Sequence, residues 1–227
     1  MPVLEAKRVW KVFRGDGVET VALRGVDLVV EAGEFTALVG PSGSGKSTLL
    51  HLLAGLDLPT EGEVWVGGRL LSGLSRSERA RARLERIGLV FQAYNLLPVL
   101  NALENAALVL ELRGIPRAER ERKALAALEA LGLMDKARRF PRQLSGGEQQ
   151  RVAVARALAA EPLIVLADEP TANLDSKNGL ALIERLKALN QEQGVTFLIS
   201  THDPRLLEHV GRIVHLEDGT IVGEERR

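Results

Sequence analysis

Residues 40–47 read Gly-Pro-Ser-Gly-Ser-Gly-Lys-Ser, which fits G-x-x-x-x-G-K-[ST]. An apolar run, Thr36–Val39, precedes them, and a helical stretch from about Lys46 to Ala54 follows, stopped by Gly55. This arrangement makes the loop a join between a buried strand and a helix start. Glycines there let successive backbone N–H groups turn inward on phosphate oxygens, which a Cβ would obstruct. The helix directs its positive dipole end at the same anion. Lys46 adds a full charge near the β- and γ-phosphates, and the Ser47 hydroxyl can hold Mg²⁺. The nucleotide contacts expected from this stretch are Gly40, Pro41, Ser42, Gly43, Ser44, Gly45, Lys46, Ser47 and Thr48, with ATP and Mg²⁺ as cofactors.

Further apolar runs with the length of buried strands are Ile87–Phe91, Leu163–Ala167 and Thr196–Ser200. Strands alternating with helices argue for an α/β doubly wound core, in which ligands sit beyond the carboxyl ends of the strands. Each run delivers a chemical residue there. Gln92 follows the first, Asp168 and Glu169 the second, and Thr201 and His202 the third. Asp168 is the expected Mg²⁺-holding carboxylate, with Ser47 and Gln92 completing the metal candidates. Glu169, ionised at neutral pH, is free to take a proton from water. His202 and Gln92 are candidates for positioning the γ-phosphate or the attacking water.

Val3 to Val30 reads as short strands broken by Gly15-Asp16-Gly17, and Glu63–Val66 as another strand. Arg212–Leu216 leads through Glu217-Asp218-Gly219 into Thr220–Val222, a hairpin pattern. Between Phe91 and Leu163 the pattern is helical. Asn101 with Glu104 marks a helix start towards Leu112, a helix follows Pro116 through Leu131, and Ser145 with Glu148 opens a third. Arginine clusters at Arg76–Arg86 and Arg117–Lys123 read as solvated helix faces. With 30 basic residues against 30 acidic ones, no net field draws the chain to nucleic acid or anionic lipid. Absence of cysteine excludes disulfides and thiolate metal sites. No apolar stretch approaches the ~20 residues that span a bilayer, and no signal-peptide pattern opens the chain, so a cytoplasmic protein is expected.

Leu144-Ser145-Gly146-Gly147-Glu148 is a second glycine loop at a helix N-terminus, hence a second anion site beside its capping role. One nucleotide already has its cradle, so this one suits another. At these residues the chain resembles the ATP-binding-cassette (ABC) family. LSGGEQQR at Leu144–Arg151 is similar to the family's signature, and GPSGSGKST, VFQ, ADEP, NLD and STHD occur in the family's order across essentially the whole chain.

The resemblance implies a single cassette, 1–227. Its nucleotide-binding core would be a P-loop NTPase fold with a mainly parallel sheet and an N-terminal antiparallel β subdomain, residues 1–91 and 162–227. A helical signature subdomain, 92–161, would be inserted between them. Two copies would pair head to tail, with Ser145 and Gly147 touching the γ-phosphate bound by the partner copy. Asp175 would connect the two sites while also capping the next helix, whose apolar stripe is Leu180, Ile183, Leu186 and Leu189. Adenine would stack on Phe13, with Trp10 nearby as a second candidate. The partner would be an integral membrane permease, which would hold the cassette on the inner face of the cell membrane. Tyr94–Leu100, unusually apolar, would line the permease groove or pack as an ordinary loop.

The residues around Gln92 and Ala172-Asn173-Leu174-Asp175-Ser176 resemble the subgroup that powers lipoprotein release, macrolide efflux and related cell-envelope tasks. Amino-acid import, or a soluble nucleotide switch acting on nucleic acid or ribosomes, remain the alternatives. Absent cysteines and the short stretch between the two glycine loops set the chain apart from the DNA-repair members.

Overall fold

A computed structural model describes residues 2–15 and 18–227. In chain order the strands and helices are β1 Pro2–Gly15, β2 Val18–Glu31, β3 Phe35–Val39, α1 Lys46–Leu53, β4 Glu61–Val66, β5 Arg69–Leu70, α2 Arg76–Arg86 and β6 Ile87–Val90. There follow α3 Ala102–Leu112, α4 Arg117–Ala130, α5 Gly146–Leu158, β7 Ile164–Asp168, α6 Ser176–Gln193, β8 Phe197–Ser200, α7 Pro204–Leu207, β9 Arg212–Glu217 and β10 Thr220–Arg226.

One sheet has the order β10-β9-β3-β8-β7-β6, parallel throughout except for the β9–β10 hairpin. Its central strands are buried on both faces. In β3, Phe35, Ala37 and Val39 join the apolar cluster under α3–α6, while Leu38 joins the cluster on the opposite face with α1. β7 and β8 split the same way, Val165, Ala167, Phe197 and Ile199 to one side and Ile164, Leu166 and Leu198 to the other. Continuous apolar runs follow from this two-sided cover, and each fully buried aliphatic side chain contributes about 1.5–3 kcal/mol. The second sheet, β2-β1-β4-β5, is antiparallel and closes over the α1 side.

The β1 and β2 strands run 14 residues each, longer than the short strands expected, because register shifts absorb the breaks in alternation. At one of them Arg8 holds φ 47°, and its N–H donates to Asp27 Oδ1 at 2.9 Å. Of the turn cluster at 15–17, Asp16 and Gly17 lie outside the described residues.

The Arg76–Arg86 cluster departs from a solvated face. It is helix α2, opened by a Ser75–Glu78 capping box, and three arginines reach back to carbonyls. Arg79 donates to Leu74, Arg83 to Gly55, and Arg86 to Val66 and Gly67. Burial pulls the Arg83 guanidinium below its usual pKa. In the second cluster the ion pairs Arg117–Glu121 and Lys123–Glu161 stay at the surface, as expected. On α6 the buried stripe is Leu182, Ile183, Leu186 and Leu189, and Leu180 is exposed. Among the described residues no helix is long and apolar enough to cross a membrane.

Candidate nucleotide site

The parallel strands deliver their chemistry to one edge. Helix α1 starts after Gly45, at φ 106°, with no side-chain cap, so its first N–H groups stay available to a ligand. No Cβ fits at two of the loop's glycines. One on Gly40 would fall 1.9 Å from the Leu216 carbonyl, and one on Gly45 2.7 Å from that of Ala22. The β9–β10 turn, with Asp218 at φ 46° and Gly219 at φ 80°, is pinned to the loop, since Gly219 N–H donates to the Ser44 carbonyl at 3.0 Å. Lys46 Nζ donates to the Gly40 and Pro41 carbonyls, at 2.7 and 2.9 Å, holding its charge across the mouth of the loop.

A cavity of about 620 Å³ is lined by Ala22, Gly40–Gly43, Gly45–Thr48, Gln92, Glu169 and His202. The glycine loop and three of the four strand-end site candidates, Gln92, Glu169 and His202, therefore meet in one cleft, while Thr201 is buried. The fourth, Asp168, joins it through Ser47, whose Oγ donates to Asp168 Oδ1 at 3.2 Å. Ser44 is buried with its Oγ unpartnered among the described residues.

Ser200 was not singled out from the sequence, yet it organises the carboxylates. Parallel pairing sets it beside Asp168, its Oγ donates to Asp168 Oδ1, and Glu169 N–H donates to that same Oγ at 3.1 Å. Glu169 itself holds φ 48°, a left-handed conformation costly for a residue with a Cβ. His202 Nδ1 lies 2.9 Å from both Glu169 carboxylate oxygens, but only Oε1 is in hydrogen-bonding geometry, and Oε2 is buried without a hydrogen-bond partner among the described residues. Oxygen donors from Ser47 and Asp168, with no cluster of three or more His, Cys, Asp or Glu among the described residues, fit a hard cation completed by phosphate and water.

Residues 23–172 match the family model described as ABC transporter. The chain belongs to the ABC transporter family. An uncharacterised ABC transporter ATP-binding protein of Methanocaldococcus jannaschii, MJ1508, is 48% identical over 220 residues, 97% of this chain and 98% of the relative. The macrolide export ATP-binding/permease protein MacB of Burkholderia pseudomallei is 47% identical over 223 residues, 98% of this chain but 34% of the relative. Among solved structures, the dimeric ABC transporter cassette MJ0796 is 43% identical, with a TM-score of 0.90 and 98% of each chain covered. A second structure of it is a post-hydrolysis dimer bound to ADP and Pi, with the same similarity.

The remaining residues singled out by the ABC resemblance lie outside the cleft's lining. Ser145 caps α5 in a reciprocal box with Glu148, and Gly147 packs against Asn178 at the start of α6, where a Cβ would sit 2.8 Å from that side chain. Asp175 caps α6, accepting from Asn178 N–H at 2.9 Å and from Nδ2 at 2.7 Å, bonds that hold its carboxyl below the usual range. Gly147 and Asp175 thus meet through Asn178. Phe13 is also outside the lining. Its ring is 46% exposed and carries Lys11 Nζ 4.9 Å from its centroid, while Ala22 forms the cleft wall contributed by β2.

Tyr94–Leu100 is ordered by Asn105, a wholly buried side chain that bonds to Leu97 N–H and to the Leu97, Leu100 and Asn101 carbonyls. Leu97 and Val99 remain exposed. Asn95 borders a second, mostly apolar groove of about 660 Å³, with Leu84, Ile87, Leu108 and Leu112.

Proposed function

We propose that this cassette binds ATP with Mg²⁺ in the cleft, pairs head to tail with a second copy, and hydrolyses the nucleotide to drive a membrane permease. The observation that carries this is the separation of the two anion sites. Gly40–Gly43, Gly45–Thr48, Gln92, Glu169 and His202 surround one cavity, while Ser145 and Gly147 of the same chain are not in its lining. Only a second copy brings a signature helix over the γ-phosphate.

In this mechanism the glycine-loop amides and α1 bind the phosphates, and Lys46 moves its charge from the loop carbonyls to the γ-phosphate. Ser47, Asp168 and Gln92 would hold Mg²⁺, which supplies neutralisation of phosphate charge when bound. The Glu169 carboxylate receives the proton of the attacking water, while His202 orients it through Oε1. Binding favours the closed pair because contacts from both copies exist only there, and loss of phosphate reopens it. The apolar groove beside Asn95 suits a short amphipathic segment of the permease. The permease's task would be lipoprotein release, efflux or a related envelope task, of which similarity to the macrolide export protein MacB supports efflux, and membership of a permease complex would hold the chain at the inner membrane face.

Glu169→Gln tests this reading. The variant should bind ATP, lose turnover and accumulate as an ATP-dependent dimer on size exclusion. Turnover at the parent rate would remove Glu169 from its role.

A further inference from the structure

Gln92 enters the nucleotide cleft from Phe91–Asn95, a segment outside helix and strand that follows β6. Both ends of this segment are held by side chains of one helix, α5. At the first end Gln150, wholly buried, directs Nε2 at the Phe91 carbonyl across 3.4 Å, and its Oε1 is buried without a partner among the described residues. At the second end Arg156 donates from Nη1 to the Asn95 carbonyl at 2.6 Å and from Nη2 to the Tyr94 carbonyl at 3.2 Å.

A desolvated guanidinium needs such partners, and burial pulls Arg156 below its usual pKa. Asn95, at φ 50°, is held in a left-handed conformation between these contacts. The tyrosine closes the loop onto the helix start, its hydroxyl oxygen 2.7 Å from where a Cβ on Gly146 would fall. From the opposite side Asn173 Nδ2 donates to the Gln92 carbonyl at 3.0 Å. The same segment separates two cavities, since Gln92 lines the nucleotide cleft while Phe91, Asn95 and Arg156 line the apolar groove.

We infer that Gln150 and Arg156 are positioning residues for Gln92, so that the helix bearing the signature also sets where Gln92 stands in its own chain's cleft. Two side chains six positions apart on α5 bracket the segment, and a shift of that helix carries Phe91 and Asn95 with it. The inference rests on the proposed role of Gln92 at the nucleotide.

A double-mutant cycle on the intact chain decides it, with kcat, KM for ATP and the Mg²⁺ concentration for half-maximal turnover as readouts. Arg156→Met and Gln150→Leu each keep side-chain bulk and remove the carbonyl bonds. Each should lower kcat about tenfold and raise the Mg²⁺ requirement, with KM changed less than about twofold. In a Gln92→Ala background the same substitutions should cost less than about twofold in kcat, because the group they position is gone.

Arg156→Lys, which keeps the charge but not the two-pronged geometry, should recover part of the loss. Thermal melts identify any variant that fails to fold, and Gln150→Leu carries the test if Arg156→Met does. Equal losses in both backgrounds would make these residues general packing and overturn the inference. Parent-like rates for both substitutions beside an impaired Gln92→Ala would overturn it alone. A fully active Gln92→Ala would overturn the role of Gln92 first, and this inference with it.

Discussion

His202 Nδ1 lies 2.9 Å from both oxygens of the Glu169 carboxylate, with Oε1 in hydrogen-bonding geometry and Oε2 buried without a hydrogen-bond partner among the described residues. The histidine thereby orients the carboxylate. His202→Ala should release the carboxylate and lower kcat by about 10²-fold or more, the usual scale for a disabled acid–base arrangement. ATP affinity should change little. Steady-state turnover beside equilibrium nucleotide binding checks this, and a variant within about twofold of the parent kcat contradicts it.

The hydrogen bond from Ser47 Oγ to Asp168 Oδ1 places two hard oxygen donors together at the start of the first helix. Asp168→Asn should raise the Mg²⁺ concentration needed for turnover and lower its maximum by about 10²-fold. EDTA should abolish hydrolysis but leave the nucleotide-free melting temperature unchanged. A melting temperature that falls with EDTA would show a structural metal instead.

Gly147 has no room for a Cβ, which would lie 2.8 Å from Asn178, and Asn178 also holds Asp175. Gly147→Ala should therefore disturb the start of α6 and weaken pairing between copies. In a Glu169→Gln background it should raise the ATP concentration required for the dimer about tenfold without changing ATP affinity of the single chain, as ultracentrifugation with a fluorescent nucleotide would show. An unchanged dimerisation midpoint would separate Gly147 from the interface.

Asp203 accepts from Arg205 and from Thr171, and the hydrogen bond from Arg205 holds its carboxyl below the usual aspartate range. Arg205 in turn donates to the Ser176 carbonyl at 2.8 Å, joining the end of β8 to the start of α6. Because the folded pKa is the lower one, this contribution is complete above the unfolded aspartate value near ~3.9 and is lost as pH falls through the lower folded value. Urea denaturation from pH 7 to pH 3 should show that loss. Asp203→Asn should be less stable at pH 7 and have a shallower acid limb, and parallel limbs would contradict the assignment.

These sites differ in how far the sequence reveals them. The glycine loop is legible because its eight residues are consecutive and phosphate geometry demands the types at four of them, Gly40, Gly45, Lys46 and Ser47. Asp168, Glu169 and His202 are legible because apolar runs announce buried strands, and strand ends of a parallel sheet share an edge. Ser200 is not, since its role comes from its register beside Asp168.

Gln150 and Arg156 are hidden for another reason. Their partners are backbone carbonyls 59 to 62 positions away, and carbonyls leave no residue signature. The α2 arginines mislead in the same way, reading as solvated until Arg83 and Arg86 are seen against carbonyls of Gly55, Val66 and Gly67. Phe13 shows the opposite limit. The family resemblance names it as the adenine platform, while the residue lies outside the lining of the cleft.

Whether one nucleotide is shared by two copies is tested most directly by mixing two inactive chains. Lys46→Ala disables the glycine loop and Gly147→Asp disables the signature helix, so neither variant alone can build a complete site. In a mixed pair one composite site is doubly damaged, but the other joins an intact glycine loop to an intact signature helix. The account predicts that the mixture hydrolyses ATP well above the sum of the two variants assayed separately. No gain on mixing, under conditions where the parent pairs, would contradict a site built from two chains.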